Sequence, residues 1–238
     1  MDNPLLNKLE ALAALSARDR ALIADIGADV HHYAPGDDII REKERPEHVH
    51  LMLEGWASRY QVLPDGRKQI TAFLLPGDFC DTHITLLGRM DHSIGAHMES
   101  RVAFVSKDMM LALFDRPAIA RALWWASLVD EGIMRAWLVN MGGRDALPRT
   151  AHLLCELHAR LSTVGMVDGD RFTAPLTQEQ LGFALGLTAV HLNRMVRQLR
   201  ELGLLAINRH QITILDLAGL RDLCNFDPGY LHLGDKRT

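Results

Sequence analysis

The 238-residue sequence has no long hydrophobic segment. No apolar run approaches the roughly 20 residues that a membrane-spanning helix needs. Residues Met1-Asp2-Asn3-Pro4 contain no basic cluster followed by an apolar stretch, as a secretory signal would. The sequence therefore predicts a cytoplasmic protein without a membrane partner.

Cysteine is scarce and scattered. The three cysteines, Cys80, Cys155 and Cys224, lie far apart and are odd in number, which argues against a disulfide framework. No pair has the CxxC spacing of a metal or iron–sulfur motif, so such a site would have to be assembled from distant residues.

Charge is also modest, and its distribution says more than its sum. The net charge is −4, but four arginines face one glutamate between Thr188 and His210. A small basic stripe on a near-neutral domain is a weak electrostatic footprint for nucleic acid and is also typical of a solvated helix face.

The chain changes character twice. The spacing of leucine and isoleucine predicts a helix over 4–27. Between about 29 and 107, Gly/Pro turn signals separate short strand-like segments, which is typical of an antiparallel sandwich or roll. From Pro117 to Asn140 the helical period returns, and Gly142-Gly143 followed by Pro148 marks a hinge.

The helix after Pro117 carries a heptad pattern typical of a dimer interface. Its predicted seam is Ile119, Ala122, Ala126, Val129, Ile133, Ala136 and Asn140. We therefore predict a homodimer, and the alternative is one long buried helix within a monomer.

The region after Thr150 predicts a winged helix-turn-helix. We expect helices at 150–161, 177–185, 188–202 and about 217–224, a short strand at 171–174 and a hairpin at 204–215. Thr177 with Gln180 forms a capping-box pattern, Gly182 and Gly186 suit the close approach and the turn, and Thr188 can cap the second helix. This spacing places two arginines and the N-terminal residues of the second helix outward, as reading the major groove of DNA requires.

The candidate DNA-binding residues lie on these two helices and on the hairpin, which would serve as the wing. They are Thr177, Gln178, Thr188, Ala189, Val190, His191, Asn193, Arg194, Arg197 and Arg209.

The whole chain resembles the CRP/FNR family of bacterial transcription regulators. The segments most specific to this family are Tyr33-Ala-Pro-Gly-Asp-Asp-Ile-Ile, Leu53-Glu-Gly-Trp-Ala, Asp65-Gly-Arg-Lys-Gln, Leu75-Pro-Gly-Asp-Phe and the helix-turn-helix. The resemblance implies an α+β protein: an N-terminal antiparallel β-roll of jelly-roll type, a long dimerisation helix and a C-terminal winged helix-turn-helix. The boundaries we expect are 1–116, 117–145 and 146–238. It also implies double-stranded DNA and RNA polymerase as partners and no enzymatic activity.

The resemblance specifies the effector less well. Cyclic-AMP-binding members hold the ribose with a glutamate and the phosphate with an Arg-Ser pair, since a buried cyclic phosphate needs a bidentate guanidinium. Ungapped matching puts Thr82, or Asp81 after a one-residue slip, at the glutamate, and His92-Ser93 at the Arg-Ser pair. Met134 and Arg135 take the adenine-contacting positions. We therefore expect no dependence on cyclic AMP; a small-molecule effector stays open and the cofactor is unknown.

Two alternative sites remain open. Cys80 and His83 resemble, one residue out of register, the haem ligands of a carbon-monoxide-sensing member. His48, His50 and Glu54 have the HxHxxxE spacing of a cupin metal site. Alternation places Val49, Leu51 and Leu53 toward the core, which favours surface histidines over a metal centre.

Overall fold

The computed structural model describes residues 3–233. The chain divides into two compact units: one comprises the residues up to Leu63 and Ile70–Leu128, the other Pro64–Gln69 and Val129–Leu233. No helix in the described part of the chain is both long enough and apolar enough to cross a membrane.

The first unit is built on two antiparallel sheets flanked by short helices. Its helices are α1 (Pro4–Glu10), α2 (Ala17–Ala24) and α3 (Lys107–Phe114), with a 3₁₀ turn at Thr82–Thr85. Its strands are β1 (Val30–Tyr33), β2 (Asp38–Ile40), β3 (His48–Glu54), β4 (Ala57–Val62), β5 (Lys68–Leu74), β6 (Ser93–Ala96) and β7 (Ser100–Ser106). The sheet orders are β1-β7-β3 and β2-β6-β4-β5, which confirms the predicted antiparallel β-roll.

The prediction of one helix over 4–27 was wrong. Ser16 starts a second helix, because its hydroxyl accepts from the backbone N–H of Asp19 at 3.2 Å while the Asp19 carboxylate accepts from the backbone N–H of Ser16 at 2.9 Å. This reciprocal capping box satisfies two backbone donors at the start of α2. The chain therefore forms two helices here and not one.

The alternation predicted for β3 holds only in part, because Val49 and Leu51 are buried as expected but the residues between and beside them are buried too. Val49, His50, Leu51 and Met52 are buried in succession. A strand covered on both faces loses the two-residue period, so the pattern of side chains no longer identifies the face that points to the core.

The long helix α4 (Pro117–Gly143) has apolar side chains on opposite sides. Ile119, Ala122 and Ile133, members of the predicted dimer seam, are buried within the chain. The large exposed apolar side chains are Trp124, Leu128, Met134, Leu138 and Val139. At 3.6 residues per turn these lie within about 140° of the helix circumference, opposite the buried set. The predicted seam is therefore partly covered by its own chain, and the side of α4 that pairs in a dimer stays a prediction.

The second unit surrounds α5 (Ala146–Thr163), most of whose residues are buried. Its other elements are β8 (Val167–Asp168), β9 (Arg171–Thr173), α6 (Gln178–Leu185), α7 (Ala189–Glu201), β10 (Leu205–Asn208), β11 (Gln211–Ile214), α8 (Leu217–Cys224) and a 3₁₀ turn at Pro228–Leu231. The antiparallel sheet has the order β10-β11-β9-β8.

Gly143 ends α4 as predicted, and Pro148 lies beyond it in the first turn of α5. Proline is tolerated there because the first N–H groups of a helix have no intrahelical partner. Only Arg144 and Asp145 separate α4 from α5. The carbonyl of Arg144 accepts from Nε and Nη2 of Arg149, at 3.3 and 2.9 Å, so this short connection is tied to the helix that follows.

Candidate nucleic-acid interface and effector pocket

The helix-turn-helix is fixed by its capping groups. Thr177 Oγ1 accepts from the backbone N–H of Gln180 at 3.1 Å, and Gln180 Oε1 accepts from that of Thr177 at 2.8 Å. Gly186 ends α6 in the left-handed region, with φ of 63°. Thr188 Oγ1 then accepts from the backbone N–H of His191 at 3.2 Å and starts α7. The predicted caps and turn are confirmed.

Gly182 is required for the close approach of the turn to α6. A Cβ built on Gly182 would lie 2.5 Å from the carbonyl oxygen of Leu187. Real Cβ atoms do not approach a backbone oxygen so closely, so any larger residue would push the turn, and α7 with it, away from α6.

The inner side of α7 anchors it through Leu192, Met195 and Leu199, all buried. Val196 is only half-buried and Leu202, the C-cap, is 58% exposed, so the fully buried side of α7 consists of those three residues. An anchored inner side leaves the opposite side of α7 rigid and presented to solvent.

The outward side of α7 carries the predicted reading residues. Val190 is 79% exposed. Thr188, Asn193, Arg194 and Arg197 are exposed, whereas Ala189 and His191 are half-buried. On α6, Thr177 is exposed, and Gln178 is half-buried with an Oε1 that has no hydrogen-bond partner among the described residues.

The wing is a tight hairpin. Leu205 to Asn208 pair with Ile214 to Gln211, and β11 also pairs with β9. At the tip, exposed Arg209 has a φ of 55°, a left-handed conformation uncommon for a residue with a Cβ. The carbonyl of the adjacent His210 accepts from the backbone N–H of Ala174 at 2.8 Å, which fixes the tip toward β9.

Exposed arginines give this surface its charge. Arg194, Arg197, Arg200 and Arg209 are exposed, and Arg197 Nε lies 3.7 Å from Glu201 Oε1. An exposed ion pair one helical turn apart is worth only a few tenths of a kcal/mol, roughly 0.3–0.5. It therefore leaves Arg197 available to a phosphate.

Three of the four predicted effector residues of the first unit hydrogen bond to other residues of the chain. Asp81 is fully buried, and its two carboxylate oxygens lie 2.7 Å from the backbone N and from Nδ1 of His50. Ser93 is buried and accepts from the backbone N–H of Glu42 at 2.9 Å. Thr82 is half-buried at the start of the 3₁₀ turn. Both carboxylate oxygens of Asp81 are therefore already hydrogen-bonded within the chain and shielded from solvent.

His92 sits beside Asp91, with Nδ1 2.6 Å from Oδ1. Burial lowers the pKa of His92, and the hydrogen bond to Asp91 opposes that effect. A half-buried imidazole of lowered pKa gives neither the charge nor the two-pronged geometry of the guanidinium that a cyclic phosphate needs.

The remaining predicted positions lie on α4 and on β3. Met134 and Arg135 are exposed on α4 within the second unit, and Arg135 Nη1 lies 3.4 Å from Glu131. Of the cupin-type set, His48 is half-buried, Glu54 is exposed and bonded to Arg101, and His50 is buried with Asp81. The preference for surface histidines was thus wrong for His50.

The haem alternative also gains no support from the positions of its residues. Cys80 is completely buried, and burial raises the pKa of its thiol well above the ordinary value. A protonated buried thiol is a poor metal ligand. His83 instead lies near Asp91 and His92, the one group of three metal-ligating side chains found within residues 3–233.

Other features of the site region were missed from the sequence. In the second unit, a cavity of about 360 Å³ is lined by Arg144, His152 and Tyr230 among others. Beside it, buried Glu156 accepts from Trp137 Nε1 at 3.0 Å and from the Tyr230 hydroxyl at 2.8 Å. These residues are 19 and 74 positions from Glu156, so no local sequence signal could have joined them.

An exposed recognition helix, a wing and a β-roll define this class of protein: a two-part DNA-binding transcription regulator. Residues 30–117 match the cyclic nucleotide-binding domain, and residues 148–223 match the Crp-like helix-turn-helix domain. The chain belongs to the CRP/FNR family of transcription regulators.

Similar proteins agree with this assignment. The nitrogen fixation regulation protein FixK of Bradyrhizobium diazoefficiens is 27% identical, covering 89% of this chain and 88% of its own length. The transcriptional activator protein FnrL of Cereibacter sphaeroides is 25% identical, covering 79% and 77%. The solved structure of FixK2 from Bradyrhizobium japonicum is 26% identical, with a TM-score of 0.73 over 82% of this chain and 96% of that one.

Proposed function

We propose that a homodimer of this chain binds two-fold-symmetric double-stranded DNA. In this complex α7 would lie in the major groove and Arg209 of the wing would contact the DNA phosphate backbone. The observation that carries the proposal is the exposed side of α7, where Val190, Asn193 and Arg194 project from a helix held rigidly on its other side. A helix whose N-terminal half is exposed in this way suits the width of the major groove.

The side chains on this surface suit different kinds of contact with DNA. Arg194 has no partner within the described chain, so its guanidinium is available for a guanine edge. Val190 has no hydrogen-bonding group and can pack against a thymine methyl. Arg197, one turn further on, and the Thr177–Gln178 end of α6 suit phosphate contacts.

The exposed apolar side of α4 supports the dimer, because Trp124, Leu128 and Leu138 are exposed to solvent in the single chain. Large exposed apolar patches mark interaction surfaces. A two-fold dimer would bury this side against its own copy and present two α7 helices to one DNA site.

The remaining assignments follow the family. We propose a sensor over 1–116, a dimerisation helix and hinge over 117–145, and a DNA-binding domain over 146–238. The name of the FnrL relative, a transcriptional activator, supports activation through RNA polymerase. A regulator of this kind binds chromosomal DNA, so we expect this protein to act in the cytoplasm. We also expect it to have no enzymatic activity. The engaged state of Asp81 and the properties of His92 support independence from cyclic AMP.

Selection of binding sites from random double-stranded DNA tests the proposal. We expect the parent protein to enrich a two-fold-symmetric site. Arg194→Ala should weaken binding to that site by about 1–3 kcal/mol and relax preference at one base position in each half-site. If Arg194 contacts only phosphate, the loss should be equal across sequences and the salt slope should fall by about one.

Arg200→Ala is the matched control. It removes the same charge from the last turn of the same helix, six residues and therefore about 120° away around the axis. It should leave base preference unchanged. Failure of the parent to enrich any symmetric site would contradict the proposed function.

A further inference from the structure

Three metal-ligating side chains meet between β5 and β6 in the first unit. One ligand atom from each of His83, Asp91 and His92 lies within 4.8 Å of the others. Asp91 Oδ1 is 4.0 Å from His83 Nε2 and 2.6 Å from His92 Nδ1, and the imidazole centroids are 5.5 Å apart. None of the three takes part in the DNA contacts proposed above.

Two ring nitrogens of this group lack hydrogen bonds. Nε2 of His83 and Nε2 of His92 are both buried, and neither has a partner among the described residues. Leaving a buried polar atom unsatisfied costs free energy, about 1–3 kcal/mol, so such atoms in native proteins call for a specific explanation. A bound metal ion would be the partner that these two nitrogens lack, because neutral imidazole ligates metals through the lone pair of a ring nitrogen.

The backbone holds the group in position. Ile84 and Met90, which adjoin His83 and Asp91, are each only 1% exposed. The Met90 N–H donates to the carbonyl of Glu44 at 3.0 Å, and the carbonyl of Asp91 accepts from Gln61 Nε2 at 2.9 Å. Ligands placed beside buried anchors lose little conformational entropy when they bind an ion, which favours binding.

We propose that His83, Asp91 and His92 bind one divalent transition-metal ion of the Zn²⁺, Fe²⁺ or Co²⁺ class. Two imidazoles and one carboxylate form a donor set that suits these ions, with the other coordination positions open to water or a ligand. In tetrahedral geometry, ligand atoms about 2.0–2.1 Å from the ion are roughly 3.3 Å apart. The distance from His83 to Asp91 must therefore shorten by less than about 1 Å, while His92 turns its free nitrogen to the ion.

The donor atoms of the cluster favour one class of ion. Arg59 acts electrostatically on His92, and its Nε and Nη2 donate to the carbonyls of Cys80 and Phe79. Against this positive charge the cluster offers a single carboxylate. Hard ions such as Mg²⁺ and Ca²⁺ depend on several oxygen ligands, so we expect them to bind far more weakly than ions that accept imidazole.

Titration of the untagged full-length protein with Co²⁺ tests the site independently of DNA binding. We expect one ion per chain, visible d–d absorption, displacement by Zn²⁺ and no competition from Mg²⁺. His83→Ala and His92→Ala should each weaken Co²⁺ binding at least about tenfold. His32→Ala, which removes an exposed histidine from β1, should have no effect.

Circular dichroism of each variant checks that it folds. If His92→Ala does not fold, Asp91→Asn provides the same test, because Asp91 is exposed and its replacement keeps the shape of the side chain. The absence of saturable 1:1 binding would overturn the proposal. So would binding by the folded variants that is as tight as in the parent.

Discussion

Arg209 combines a conformational cost with a position suited to DNA. Its φ of 55° costs about 1–2 kcal/mol for a residue with a Cβ. Arg209→Gly removes that strain at the cost of about 0.5–1 kcal/mol in unfolded-state entropy. We therefore expect the free energy of unfolding to stay level or rise by up to about 1.5 kcal/mol, while the salt slope of DNA binding falls by about one. Chemical denaturation and DNA titration at several salt concentrations measure the two effects.

Arg209→Ala is the control for this prediction. It removes the same charge but keeps the Cβ, so it should lose the same DNA affinity without gaining the stability that glycine provides. Equal stability of the two variants would contradict the argument from strain.

The pocket residues lead to a prediction about cyclic AMP. Both oxygens of Asp81 are occupied by His50, and His92 pairs with Asp91 where a guanidinium would be needed. We expect isothermal titration of the protein with cyclic AMP to show no saturable heat, and its DNA affinity to be the same with and without the nucleotide. Saturable binding that disappears in Ser93→Ala would show that this interpretation of the pocket is wrong.

The elements that carry strong local signals were predictable from the sequence. The helices at 178–185, 189–201 and 217–224 begin at the predicted caps Thr177 and Thr188 or within a residue of the expected bound. A cap satisfies backbone donors locally, so a short sequence is enough to identify it.

Elements defined by what covers them were not predictable. β3 is buried on both faces, and α4 is apolar on both sides, so neither sequence says which face meets its own chain. Tertiary packing decided both cases, and it covers part of the predicted dimer seam within the chain itself.

Gly182 allows a prediction about the helix-turn-helix as an element. Gly182→Ala would place a Cβ against the Leu187 carbonyl, and overpacking against backbone typically costs about 1–3 kcal/mol. DNA affinity should fall as well, because α7 would be displaced. Denaturation and DNA titration of the variant measure both.

Gly142→Ala is the matched control for Gly182→Ala. Gly142 lies in α4, and a Cβ there would meet nothing within 4 Å. Its replacement should stabilise the protein by up to about 1 kcal/mol, the difference in helix propensity. A Gly182→Ala variant as stable as Gly142→Ala would contradict the close approach at the turn.

At the scale of the whole molecule, packing brings together residues that no motif connects. Cys155 and Cys224 are 69 positions apart, yet both are buried, and the packing of α5 against α8 brings their thiols close enough to influence each other's pKa. This contact raises the pKa of Cys155. Packing also brings together His50 and Asp81, which are 31 positions apart. The fold class could be predicted because its motifs are local, whereas these pairs depend on the finished packing.

Dimerisation gives the last prediction. Leu138 is 73% exposed on the uncovered apolar side of α4. In a two-fold dimer, Leu138→Glu would place two carboxylates across the axis, and facing like charges cost several kcal/mol. Since about 1.4 kcal/mol is a factor of ten, we expect the dimer dissociation constant to rise roughly a hundredfold or more. Sedimentation equilibrium should detect the monomer, and affinity for a symmetric DNA site should fall in parallel.

Leu111→Glu on α3, also an exposed leucine, should leave the dimer intact. Ile133→Glu should instead lower the free energy of unfolding, because Ile133 is buried in its own chain. A Leu138→Glu protein that sediments as the parent does would place the dimer interface elsewhere.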